Sequence, residues 1–305
     1  MRKIHLLALF TVIAGPLLQA DEAPEAGNAT DFLRVDQDDT AARLQTSVTR
    51  YEKDGATVDL LGAVHIADKA YYDDLNKRFG SYDALLFEMI GGENLVDGKM
   101  PEPAGGKDED AVMAMLANAY EVVSRFLKLT DQKSAIDYSK KNFVHADLTV
   151  NEFTKLQAEK GESLLSFAMA AGNQAAKDGQ APAKQPNLNR LVTAFLAGNS
   201  NAIKMELIHS LGQGDDQIAA FAGDSVIISD RNAKCLEVLA KQMAAGRKNC
   251  GIFYGAAHYP DMEERLLDDG FTKTAHEWIT AWEVPKPKRK AKPDEEQPSK
   301  KKKAA

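Results

Sequence analysis

Two short apolar runs, far apart in the chain, end in the same way. VDLLGAVHIAD (58–68) and CGIFYGAAHYPD (250–261) each stop at Gly-x-x-His, and each runs on into a segment with helical spacing. Apolar runs of this length read as strands buried on both faces, which requires helices above and below the sheet. YDALLFEMI (82–90) is a third such run. Between it and the first lies ADKAYYDDLNKRFG, where Tyr71, Leu75 and Phe79 recur at four-residue spacing and Gly80 closes the helix. Strand, helix, strand reads as a βαβ unit with parallel pairing. The expected fold class is therefore α/β, with a mixed, partly parallel sheet flanked by helices.

The flanking segments extend this sheet. In TSVTRYEKDGATVDLL, Val48 and Tyr51 sit in one strand, Asp54-Gly55 forms a two-residue turn, and Val58 to Leu61 return as a hairpin partner. SVIISDRNAKCLEVLAKQMAAG is a helix whose start the sequence leaves open between Asp224, Ser229 and Asp230. FTKTAHEWITAWEV alternates as a final edge strand, on which Trp278 and Trp282, four apart, share a face. The α/β body spans 44–90 and 223–284. Residues 91–222 between the two halves read as a large all-helical insertion, entered through a mobile glycine-rich loop (91–109). Within it, Thr149 and Glu152 make a capping box for LTVNEFTKLQAEKG.

The ends of the chain carry different information. Arg2, Lys3, an apolar run broken by Pro16, and Leu18-Gln19-Ala20 followed by acidic residues have the layout of a secretory signal peptide cleaved after Ala20, with Leu18 an imperfect match to the A-x-A-like cleavage pattern. This places the protein in the periplasm or outside the cell; an uncleaved anchor is the alternative. Residues 21–43 are polar and aperiodic and read as a disordered leader. From Pro285 to Ala305 there are nine Lys/Arg against three Asp/Glu, so this tail carries +6 and leaves −13 of the net −7 on the rest. Such a segment cannot bury enough apolar surface to fold. Its charge suits anionic envelope components, though a solvated tail is the plainer expectation. The acidic body excludes nucleic acid as a natural partner. Cys235, early in a helix, and Cys250, at the start of the next strand, lie too far apart for a disulfide, so both thiols are expected free and buried.

His65, Glu88 and His258 each fall at or just beyond the C-terminal end of an expected strand, the edge at which open α/β sheets collect ligands. The glycine ahead of each histidine is expected to let the backbone turn sharply and to leave room for a ligand or loop. Two imidazoles and a carboxylate suit a divalent transition metal (Mn, Co, Zn or Fe) with an open position for water. Arg231 is placed to hold a carboxylate or steady an oxyanion, with Glu88 or substrate as its counter-charge. Asp147, in FVHADL, is a candidate fourth ligand or base, although such a residue more often orders a turn. Tyr259 is a candidate oxyanion donor, with packing as the plainer role. His145, His209 and His276 rank lower.

Gly62-Ala63-Val64-His65 and Gly255-Ala256-Ala257-His258, with Glu88 and SDRNAKCLEVL around Arg231, resemble the TraB/GumN/Tiki family over residues 44–284. Ala63 stands where a hydroxyl residue is common in that family. The resemblance implies an α/β fold with inserted helices, related to the erythromycin esterase and ChaN-like proteins. It also implies metal-dependent proteolysis through the two Gly-x-x-His motifs, as in the Tiki members, with the functional glutamate and arginine falling on Glu88 and Arg231. The expected function is metal-dependent hydrolysis of a peptide or related acyl bond, with a peptide or small acyl compound as substrate. The alternatives are a metal-independent, esterase-like hydrolase with a histidine base, and a non-catalytic peptide- or haem-binding protein.

Overall fold

The computed structural model describes residues 30–97, 121–162, 187–211 and 225–286. The expected signal peptide, the first part of the expected leader, residues 98–120, 163–186 and 212–224 (Asp224 included), the side chain of His209 and the tail from 287 lie outside those residues. In chain order the elements are β1 (Leu33–Gln37), β2 (Ala41–Lys53), β3 (Ala56–Ala63), β4 (Ile66–Ala67), α1 (Lys69–Phe79) and β5 (Ala84–Phe87). A 3₁₀ turn (Gly92–Asp97), β6 (Thr130–Asp131), α2 (Gln132–Ala135), β7 (Phe143–His145), α3 (Val150–Lys160), α4 (Leu188–Leu196) and α5 (Ser200–Leu211) follow. The chain closes with a π-helical turn (Val226–Asp230), α6 (Arg231–Ala244), β8 (Asn249–Gly255), a 3₁₀ turn (Ala256–His258), α7 (Tyr259–Asp268) and β9 (Thr272–Pro285). Among the described residues no helix is long and apolar enough to cross a membrane.

The α/β expectation holds. A seven-stranded mixed sheet has a parallel half, β3-β8-β5-β7, joined through β3 to antiparallel β2 and its partners β1 and β9. The hairpin turn is made by Asp54 (φ 49°) and Gly55 (φ 74°), whose positive φ values match the twist of a tight hairpin. Strand alternation divides the core into two. Leu61, Ala63, Leu85, Phe87 and Phe253 meet α1, α4 and α5 on one face. Val58, Leu60, Leu86, Ile252 and Tyr254 meet α6 and α7 on the other. Cys235 and Cys250 are free and buried in this second layer.

Four expectations are corrected. β3 and β5 are parallel but not adjacent, because β8 from the far end of the chain inserts between them. The expected leader stops short: Phe32 is fully buried, and β1 pairs with β2 from Leu33. The insertion is not all-helical, since β7 extends the main sheet beside β5 and β6 pairs with β4. Trp278 and Trp282 do not share a face. A β-bulge where β9 passes Leu44 and Gln45 shifts the alternation by one residue. Trp282 therefore joins the core, while Trp278 lies under the Arg34 guanidinium.

Helical structure begins with the π turn at Val226, between the positions left open by the sequence, and α6 itself starts at Arg231, directly after Asp230. Ser225 caps the π turn by accepting from Ile227 N at 3.1 Å, and Glu162 accepts from Val226 N at 2.9 Å. The turn delivers Arg231 as the first residue of α6, pointing at the sheet.

Candidate functional site

The four parallel strands all end on one side, and each brings a polar group there. His65 follows β3, His258 follows β8, Glu88 follows β5, and Asp147 follows β7 by two residues. The two Gly-x-x-His strands are neighbours in register, Gly62 opposite Tyr254 and Ala63 opposite Gly255. The order β3-β8-β5 places His258 between the strands that carry His65 and Glu88. Neither motif glycine has positive φ, so what they supply is not a left-handed turn, and at Gly62 it is room for a neighbouring segment. A Cβ at Gly62 would stand 3.0 Å from Thr46 Cβ and 3.2 Å from Ser47 O, so glycine there admits the close approach of β2. At Gly255 the backbone N–H donates to Glu88 Oε2 at 2.7 Å.

Arg231 is the hub. It is 8% exposed, and its guanidinium donates from Nε to Asp147 Oδ1 (3.0 Å), and from Nη2 to Asp147 Oδ2 (2.7 Å) and Glu88 Oε1 (2.6 Å). Burial alone would raise the Glu88 carboxyl. The Arg231 charge, the nearby imidazoles and the Gly255 N–H outweigh it and hold that carboxyl well below the usual range. Burial likewise acts against the Arg231 charge, and the two carboxylates reverse this, so it stays a cation. Asp147, 1% exposed, also accepts Leu148 N at 2.8 Å. Its oxygens are committed to Arg231 and the backbone, which makes it the counter-charge behind the site.

His258 is buried and stands with Nε2 3.7 Å from Glu88 Oε1. Burial, only partly offset by Glu88, lowers its pKa to about 4, so the ring is neutral at pH 7. Its Nδ1 lies 2.6 Å from Asn232 Oδ1. His65 is exposed at the rim, close enough to act on the Glu88 carboxylate, and its backbone oxygen accepts from Gln132 N at 2.9 Å. Tyr259 is a correction. Its buried hydroxyl lies within hydrogen-bond distance of Leu61 O (2.5 Å) and Ile252 O (2.9 Å) and accepts from Tyr254 N (3.0 Å). It staples β3 to β8 behind the site and cannot serve an oxyanion. His145 orders the turn after Glu88, with Nε2 2.7 Å from Met89 O. His276 lies away from the site, its Nδ1 2.8 Å from Thr49 Oγ1 on β2.

The donor chemistry fits a divalent transition metal: a neutral imidazole, an ionised carboxylate and a second imidazole at the rim. Placement fits in part, because among the described residues no three His, Cys, Asp or Glu side chains close on one point. Asn232, which contacts His258, was not among the sequence candidates; its only signal was its place beside Arg231 at the head of a helix. Compared with protein-family models, curated proteins and solved structures, the chain shows no match.

Proposed function

We propose that the chain is an exported hydrolase of the TraB/GumN/Tiki type that cleaves a peptide or related acyl bond with an activated water. One observation carries the reading. Two imidazoles and a carboxylate, distant in sequence, arrive at adjacent ends of three parallel strands, with a buried arginine holding the carboxylate ionised. His65, His258 and Glu88 would hold a divalent transition metal, which supplies Lewis-acid polarisation of a carbonyl and an acidified water.

The remaining roles follow from the residues themselves. Glu88, held so far below the ordinary carboxylate range, is an anchor and a poor proton acceptor. Arg231 spends its Nε and Nη2 on Asp147 and Glu88, so its main contribution is to fix the carboxylate in place before substrate arrives. His65, exposed at the rim, is the imidazole that an incoming substrate would meet first.

The test combines metal analysis of the purified protein with peptidase and esterase assays, with and without chelator, on wild type and His65→Ala. Metal-dependent turnover that falls at least about a hundredfold in the variant supports the proposal. Equal behaviour of the two proteins refutes it. A specific observation favours a metal-free version with a histidine base: Glu88 is already ion-paired with Arg231, and among the described residues no third donor closes on Glu88 and His258. Activity that survives chelation would select that version.

A further inference from the structure

Asn232 touches the imidazole of His258, and its amide can sit only one way round. Its Nδ2 donates to the backbone oxygen of His258 at 3.0 Å and to Asp261 Oδ2 at 2.7 Å. Neither partner has a proton to give. The first is a carbonyl, and the second is a carboxylate gripped by both Nε (2.8 Å) and Nη2 (3.0 Å) of Arg265. Turning the amide over would set its oxygen against two acceptors. Oδ1 therefore faces His258 Nδ1, and at 2.6 Å that contact requires a proton on the ring nitrogen. A neutral imidazole has only one N–H. With it on Nδ1, Nε2 is left as a lone pair, and that lone pair looks toward Glu88 Oε1 across 3.7 Å. Two electron-rich atoms facing each other at this distance suit an electron-poor guest between or beside them, a cation or a polarised O–H.

We propose that Asn232 is a positioning residue, locked by Asp261 and by the His258 carbonyl, which fixes His258 as the Nδ1–H tautomer and presents its Nε2 lone pair to the space beside Glu88. Its purpose rests on the hydrolase reading, but the tautomer itself does not. Long-range ¹H–¹⁵N correlation spectra of the full chain labelled with ¹⁵N-histidine read it directly at neutral pH, with the His258 signals identified by their loss in His258→Gln. The expected wild-type pattern has Nδ1 protonated and Nε2 bare. Asn232→Ala, checked as folded by circular dichroism, is expected to lose this pattern for an averaged one. Its hydrolysis is expected to fall about 10–100-fold, as when a partner that orients a ligating histidine is removed. A purely structural asparagine would lower the melting temperature and leave the ring pattern alone. A wild-type proton on Nε2, or an Asn232→Ala spectrum that keeps the Nδ1–H pattern, overturns the proposal. If the variant does not fold, the wild-type spectrum decides. Wild-type protein with the expected tautomer but no hydrolysis would count against the proposed function alone.

Discussion

Arg231 joins two carboxylates that would otherwise be buried side by side, Asp147 and Glu88. Removing one partner of a buried ion pair costs more than the pair contributes, because the remaining charge keeps its desolvation penalty. Arg231→Ala is therefore expected to destabilise the fold by about 3–5 kcal/mol in chemical denaturation, whatever its effect on activity. The neutral His258 gives a pH signature. Its folded pKa of about 4 lies below the ordinary 6.5. Between those values the unfolded chain binds the additional proton, so stability falls as pH drops through this window. The full shift corresponds to about 3 kcal/mol, and His258→Gln should flatten denaturation midpoints measured against pH there. The depressed Glu88 acts lower, losing its stabilisation as pH falls below its ordinary 4.5.

At the level of elements, the two motif glycines have unlike roles. Gly62 lies against the backbone and Thr46 Cβ of β2, neither of which can yield without moving a strand. Gly62→Ala is expected to cost about 1–3 kcal/mol as an overpacked site. A Cβ at Gly255 would meet Glu88 Oε2 at 3.4 Å and His258 Cδ2 at 3.8 Å, nearly ordinary contacts, so Gly255→Ala should cost under about 1 kcal/mol. Paired urea titrations of the two variants check the contrast. In α3 the Thr149–Glu152 capping box forms, with Glu152 N to Thr149 Oγ1 at 3.2 Å, and Glu152 also binds Lys234 of α6 at 2.9 Å. Thr149→Ala should lower stability by about 1 kcal/mol.

The whole molecule is closed by its last strand. β9 covers β2 from Ala41 to Glu52 and supplies Ile279, Ala281, Trp282 and Val284 to the core, with Trp282 Nε1 donating to Ile66 O at 2.6 Å. Deleting residues 272–305 is expected to abolish cooperative thermal unfolding, read by circular dichroism, because it strips one edge of β2 and opens the core that α1 and α5 share. Much of this architecture is legible in the sequence. The strand ends at His65, Glu88 and His258, the Asp54-Gly55 turn and the cap at Thr149 are written in local spacing and residue chemistry, which depend on a few neighbouring positions. The burial of Cys235 and Cys250 followed from their places on a helix and a strand. Strand order was not legible, because β8 slips between β3 and β5 through pairings between distant parts of the chain that periodicity does not encode. The bulge that parts Trp278 from Trp282 was hidden for the same reason, since it exists only where β9 meets β2. Of the site's electrostatics the Arg231–Glu88 pair was legible from residue type and strand-end position, and the rest was decided by tertiary structure. Asp147 became the counter-charge of Arg231, Tyr259 became a staple, and Asn232 came to face His258, because burial brings distant groups together and makes each contact strong.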